Sequence, residues 1–294
     1  SQLPPATHDD ACIQKVASAH KRSINLALSH RGLSALHRAS LAEQALEIAV
    51  PMRGRMVHAR DGSTSLQPYG SSPDEVLYSI SRNELNALLV DALRPYTEGA
   101  EPCVALHHDH KLTSLRRSGK PGGSALCATF GTPDGAIDVC VPRLLGCDGA
   151  FSATRGALSR LLRLSQSIEY ISHVYKELDI PADSSGGYAM FAEALHIWPA
   201  PDSMLIALPN LDCSFTATLF ADADALEALD TPAKVLEFFE SRWPETLSLM
   251  PRLADDFCST PSGALSTVRC EPWFLGGAAL LLGDAAHAAV PFYE

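Results

Sequence analysis

The hydrophobic pattern changes period several times along the chain, and each change marks an element. Between Arg31 and Ile48, Leu33, Leu36, Leu41, Ala45, Leu46 and Ile48 recur at helical spacing with a break near Ser40, which predicts two short helices. The run from Met52 to Leu66 alternates about Asp61-Gly62, a strong β-hairpin signal. Ser81 and Glu84 have the spacing of a capping box, and Leu85, Leu88, Leu89 and Leu93 follow on one face up to Pro95, so a helix is expected over about 82–94. From Val104 to Gly146, Gly and Pro punctuation at Lys120 to Gly123 and at Gly131 to Gly135 divides a β-meander. Residues 170–180, 195–198, 204–208 and 214–220 form a second β-rich block, expected to make a broad antiparallel or mixed sheet. Thr231 is placed to N-cap a helix that has Pro232 at its first position and runs towards Trp243. The segment 278–282 is apolar throughout and reads as a strand buried on both faces, as in a parallel sheet. Residues 1–20 show no clean period and read as a linker or arm.

With 294 residues, 46% of them apolar, the chain can bury a core of one large domain or two joined ones. Its 34 acidic and 23 basic residues give a formal charge of −11 with no basic block, which argues against a nucleic-acid partner. The eight cysteines, Cys12, Cys103, Cys127, Cys140, Cys147, Cys213, Cys258 and Cys270, contain no CxxC pair and are expected to be reduced thiols of an intracellular protein. The first ten residues lack the apolar region of a signal peptide, and the longest apolar run, Trp273 to Leu282, is too short to span a membrane as a helix.

Two segments combine an apolar strand, a Gly-Asp step and a helix start. In the first, Leu144-Leu145-Gly146-Cys147-Asp148-Gly149-Ala150-Phe151-Ser152, the glycines would admit a cofactor to the backbone, and Asp148 would accept hydroxyl hydrogen bonds or orient Arg155. The alternative is an Asp that only caps the following helix. In the second, Leu280-Leu281-Leu282-Gly283-Asp284-Ala285-Ala286-His287, the carboxylate stands where a ribose or ribityl chain could lie, or again serves as a cap. The cluster His107-His108-Asp109-His110 lacks further ligands and reads as a strand edge, so no metal is expected. There is no Gly-x-Ser-x-Gly elbow to support a serine hydrolase.

As a pair, these two motifs resemble the internal fingerprints of flavin-dependent aromatic hydroxylases of the para-hydroxybenzoate hydroxylase-like group. The runs Arg22 to Gly32, Pro51 to Met56, Leu195 to Pro199 and Ile206 to Asn210 are similar to the kynurenine 3-monooxygenase family within it, and the resemblance covers about residues 21–293. It implies an α/β fold with α+β elements, in which a Rossmann-like FAD-binding domain (21–48, 81–165 and 266–294) is interleaved with a β-sheet substrate domain (49–80 and 166–265). The implied cofactors are FAD and NADPH. The implied partners are L-kynurenine and dioxygen, and the implied reaction is hydroxylation beside the ring amine through a flavin hydroperoxide in tryptophan catabolism. The flavin would do the chemistry, so no catalytic side chain is expected.

By the same resemblance Arg55 and Tyr69 bind the substrate carboxylate, a fork of N–H donors plus a phenol. Leu195, Met204, Ile206, Leu208 and Phe220 wall the aromatic ring, while Pro291, Phe292 and Tyr293 flank flavin and substrate. FAD would be held by Ala27, Leu28, Arg82, Leu112, Asp148, Gly283 and Asp284. Two departures stand out. The family's Gly-x-Gly-x-x-Gly turn is not found in residues 1–20, and the family's segments beyond Tyr293 are not present, so the chain is expected to be a fragment or a shortened homologue. Other readings are a hydroxylase of another aromatic acid or a non-catalytic remnant. The resemblance allows either a cytoplasmic or an outer mitochondrial membrane location.

Overall fold

The computed structural model describes residues 24–72, 75–98, 102–118 and 125–290. The expected arm at 1–20 and the segment at 291–294 lie outside the described residues. The chain divides into two compact units, one from residues within 9–104 and 172–263, the other from 105–171 and 264–294. Both mix strands and helices.

In the first unit, β1 (Asn25–Leu28), β2 (Ala49–Met52) and β5 (Leu77–Ser81) form a small antiparallel sheet in the order β1-β5-β2. Helices His30–Arg38 and Ala42–Glu47 cover it, and Ser40, with φ 58°, makes the expected break between them. The larger sheet takes β3 (Gly54–His58), β4 (Thr64–Pro68), β11 (Ala194–Pro199), β12 (Ser203–Pro209), β13 (Phe215–Asp222) and residues 172–180 of the long strand β10 (Ser165–Ile180). Its order is β10-β13-β12-β11-β3-β4, antiparallel except for the parallel β11–β3 pair. The β3–β4 hairpin turns as expected at Asp61, whose carboxylate accepts from the Ser63 amide and hydroxyl while Gly62 takes a positive φ.

Period-two alternation gives this sheet two different faces. Ala194, His196, Trp198, Leu205, Ala207, Phe215, Ala217, Leu219 and Ile180 are buried beneath helices Pro232–Arg242 and Leu253–Ser259. The opposite face carries Leu195, Ile197, Met204 and Ile206, all half-buried. Helix Pro232–Arg242 starts where Thr231 accepts from the Lys234 amide, and it buries Val235, Phe238 and Phe239 against the sheet. Ser81 likewise caps helix Arg82–Asp91, which ends three residues before the expected limit and is followed by a separate turn, Arg94–Glu98, that opens on Pro95.

In the second unit, β6 (Lys111–Arg117), β7 (Leu126–Thr132) and β8 (Gly135–Val141) form the expected meander. A second sheet has the order β15-β16-β9, with β9 (Leu144–Gly146), β15 (Phe274–Leu275) and β16 (Ala279–Leu281). Strand β14 (Gly263–Glu271) is tied to the 165–171 part of β10 by the Arg269–Glu169 ion pair at 3.1 Å. The apolar segment 278–282 is a strand, and it does run parallel to β9. It is not fully buried on both faces: Ala279 and Leu281 enter the core, whereas Leu280 between them is half-buried and its neighbour on β9, Leu145, is 63% exposed. The cysteine expectation is also corrected, because Cys127 and Cys140 stand directly opposite across β7 and β8 and are joined in a disulfide. A spacing of 13 residues carries no motif, so strand register alone reveals the pair.

On the helix-covered face, His58 and His196 share a 2.8 Å hydrogen bond, and the other His196 nitrogen donates to the Phe191 carbonyl at 2.8 Å. With the His196 proton on Nε2, the His58 Nε2–H donates to His196 Nδ1, and burial favours the neutral form of both rings. Burial, and secondarily the neighbouring His196, lowers the His58 pKa from 6.5 to about 4, and burial lowers that of His196. A base whose pKa falls on folding lets the unfolded chain take the proton first, so this stability is complete above about pH 6.5 and is lost as pH falls towards 4. The melting temperature should drop between pH 7.5 and 5, and by less in His58→Gln. Equal drops in the two proteins would remove the pair as the cause.

Candidate functional site

The two Gly-Asp segments, remote in sequence, end on adjacent parallel strands. Leu281 stands opposite Gly146, and the Leu282 amide donates to the Gly146 carbonyl at 2.9 Å. Gly146 has no room for a side chain: a Cβ there would come within 2.7 Å of Thr154 Cγ2 and 2.9 Å of Leu281 Cδ2. Its bareness serves helix-to-strand packing rather than the close cofactor approach expected from sequence.

The two aspartates differ. Asp148 accepts from the Ser152 hydroxyl at 2.5 Å, the Thr154 amide at 2.9 Å and the Thr154 hydroxyl at 3.0 Å, all at the start of helix Ala153–Leu158. Burial would raise its pKa, but these donors outweigh that and hold it below the usual value. The N-cap itself is Ser152, which accepts from the Arg155 amide at 2.9 Å, and Asp148 braces that cap while also accepting from the Thr154 amide. Asp284 is solvent-exposed at the start of the turn Asp284–His287 and has no hydrogen-bond or ion-pair partner among the described residues. The preceding Gly283 has φ 58°, where a side chain is strained, and a Cβ there would meet nothing within 4 Å. A free carboxylate thus faces open space beside a backbone that only glycine adopts easily.

Arg155, 2% exposed, joins the two segments. It donates to the Ala150 carbonyl at 2.6 Å, the Ala285 carbonyl at 2.9 Å and Gln166 Oε1 at 3.2 Å, with no carboxylate partner among the described residues. Sequence reading named Arg155 only as a group that Asp148 would orient, whereas the structure aims it at backbone carbonyls of both motifs. Leu112, at a bulge in β6, is half-buried and packs against the core of this unit.

In the other unit, Arg55 lies on β3 beside Leu195 of β11, and its guanidinium stands 5.5 Å from the Tyr69 ring centre. Arg55 is exposed and meets no carboxylate among the described residues. The Tyr69 hydroxyl is buried without a hydrogen-bond partner among them. Burial raises the phenol's pKa, and the nearby guanidinium pulls it part of the way back. Register extends this corner into an apolar surface: Leu195, Leu208, Ile206, Met204 and Phe220 share one face of the sheet with Arg55. Leu208 and Phe220 are buried, the others half-buried.

Ala27 and Leu28 end β1, while Arg82 follows β5 at the other end of the same strand pair. Leu28 is part of the core beneath helix His30–Arg38, Ala27 is exposed, and Arg82 is exposed with no partner among the described residues. Pro291, Phe292 and Tyr293 lie outside the described residues. At 107–110, the His110 ring lies 2.5 Å from the His108 carbonyl and 5.1 Å from the His107 ring. Among the described residues no His, Cys, Asp and Glu side chains are grouped to hold a metal.

No family model matches the sequence. Kynurenine 3-monooxygenase of Dictyostelium discoideum is 42% identical over 276 residues, 92% of this chain and 57% of that protein. That of Sus scrofa is 39% identical over 283 residues, 96% of this chain and 58% of that protein. The chain is thus similar to kynurenine 3-monooxygenases over nearly all of its own length. It spans about three-fifths of the length of these curated relatives. A solved structure of Klebsiella pneumoniae HpxO complexed with FAD, 16% identical, matches 92% of this chain and 67% of its own with a TM-score of 0.67. The chain thus has the mixed α/β fold of that structure.

The unlike aspartates make a direct test. Asp148→Ala should cost about 1–2 kcal/mol of stability through loss of the cap, and Asp284→Ala less than about 0.5 kcal/mol. Urea denaturation of the two variants measures this, and equal losses would contradict the assignment.

Proposed function

We propose that the protein to which this chain belongs hydroxylates the ring of L-kynurenine using FAD, NADPH and dioxygen. The carrying observation is the Arg55–Tyr69 corner: among the described residues, a guanidinium without an acid stands beside a buried phenol that meets no carboxylate or carbonyl, at the edge of an apolar sheet face. That arrangement suits an aromatic amino acid. Its carboxylate would receive two parallel N–H bonds from Arg55 and the Tyr69 O–H, and its ring would lie against Leu195, Met204, Ile206, Leu208 and Phe220. An ion pair set against an apolar surface also fixes which ring edge points outward, which positions the carbon to be oxidised.

The residues fit FAD unequally. Among the described residues Asp284 and Gly283 combine an unengaged hydroxyl acceptor with space for a ligand, and Arg82 offers a cation that meets no acid, so these would hold ribityl or ribose hydroxyls and phosphate charge. Ala27 and Leu112 would supply apolar contact. The Leu28 side chain is committed to the core, and the Asp148 carboxylate to its cap, so these two would act through backbone position. Bound flavin would supply the redox and oxygen chemistry. The protein's own part is to bind, orient and exclude water, and no protein acid or base is required at the ring. Pro291 and Phe292 would complete the proposed substrate and flavin contacts.

In the complete protein, Arg55→Ala should weaken kynurenine binding by about 2–4 kcal/mol while leaving flavin absorbance unchanged. Asp284→Ala should instead lower FAD retention. Both are measured by titration, with NADPH oxidation as the coupled readout. If kynurenine failed to stimulate that oxidation and another aromatic acid succeeded, the substrate assignment would pass to that acid. If the protein retained no flavin at all, the enzyme reading would fail.

A further inference from the structure

Lys176 occupies a core position. On β10 it alternates with Leu178 and Ile180 on the helix-covered face and is 8% exposed, yet it bears an ammonium. Part of its role is structural: Nζ donates to the Phe257 carbonyl at 2.9 Å and the Thr260 carbonyl at 2.6 Å, at the C-terminal end of helix Leu253–Ser259, and stands 4.3 Å from the centre of the Phe257 ring. A cation at a helix C-terminus is favourable. Capping uses two of the three N–H donors and supplies no counter-charge. Burial lowers the amine's pKa, which marks how much the site lacks an anion.

Beside Lys176 lies a cavity of about 440 Å³, within the range of small-ligand sites. Its apolar walls are Val174, Leu226, Leu229 and Phe257. Glu227 and Asp230 also line it, and both are solvent-exposed. Asp230 is engaged by Lys234 at 2.8 Å, whereas Glu227 has no partner among the described residues. A buried cation, an apolar wall and an exposed acid are the three features that recognise a carboxylate, a hydrocarbon body and an ammonium.

We propose that this cavity binds a small apolar amino acid, its carboxylate on Lys176 and its ammonium towards Glu227. A plain fatty acid fits less well because the acids at the opening repel it. The site is separate from the Arg55 surface, which lies on the opposite face of the sheet, and does not depend on the proposed hydroxylation.

Saturation-transfer NMR with L-leucine and 4-methylpentanoate, which differ by the amino group, tests it. L-leucine should saturate with a Kd on the order of 1 mM or tighter. Leu229→Trp, which fills the cavity from a half-buried position, should abolish the signal, and Lys176→Met should weaken binding about tenfold or more. Glu227→Gln, a surface change, should weaken L-leucine but not 4-methylpentanoate. Should Lys176→Met fail to fold, the Leu229 and Glu227 variants still decide. Absence of saturation, binding indifferent to Leu229→Trp, or equal affinity for both probes regardless of Glu227 would each overturn the proposal.

Discussion

A single buried guanidinium holds the two cofactor-type motifs in one arrangement. Arg155 enters the core without a carboxylate among the described residues and donates to carbonyls of the loop after β9 and of the turn after β16. Such a charge tolerates burial only while every donor is met, so it ties the positions of both loops to one side chain. Asp148 and Gly146 support the same arrangement from either end, one by capping the helix that carries Arg155 and the other by letting that helix approach the strand. Asp284 can remain unpartnered because its neighbours are held without it.

The large sheet divides its labour between faces. Towards the helices it presents aromatic and aliphatic bulk; the polar exceptions are the His58–His196 pair, hydrogen-bonded internally, and Lys176, which gives two of its three N–H donors to carbonyls at a helix end. Away from them it presents an incompletely buried apolar surface with a cation and a phenol at its edge. That second face holds the Arg55–Tyr69 corner, where the fold leaves binding energy unused.

Much of this was legible because local chemistry and tertiary structure agree. The Asp61-Gly62 hairpin, the Thr231-Pro232 helix start and the break at Ser40 are each decided within a few residues. The Gly-Asp segments were visible as strand-to-helix crossings, and pairing them pointed to the family. What the sequence did not disclose depends on register or on distant partners. The Cys127–Cys140 pair needs β7 opposite β8, the Arg155 contacts need β9 beside β16, and Lys176 gives no sign in its own neighbourhood that it caps a helix 81 residues away. The difference between Asp148 and Asp284 was hidden for a related reason: Gly146-Cys147-Asp148-Gly149 and Gly283-Asp284-Ala285 both read as possible caps, and only the first is followed by a Ser and a Thr that donate to its carboxylate.

The parallel pairing of β3 with β11 has a consequence for how faithfully the chain must assemble. Successive strand residues point to opposite faces, so sliding β3 by one position would place Met56 where Arg55 stands and turn the guanidinium towards the helices. Such a misassembled molecule would keep most of its backbone hydrogen bonds and much of its apolar burial, and so could persist as a compact but inert isomer. Gly54 guards against this error. Its missing Cβ lets the Gln67 backbone close directly over it, a fit that no neighbouring residue of β3 could reproduce if the strand slipped.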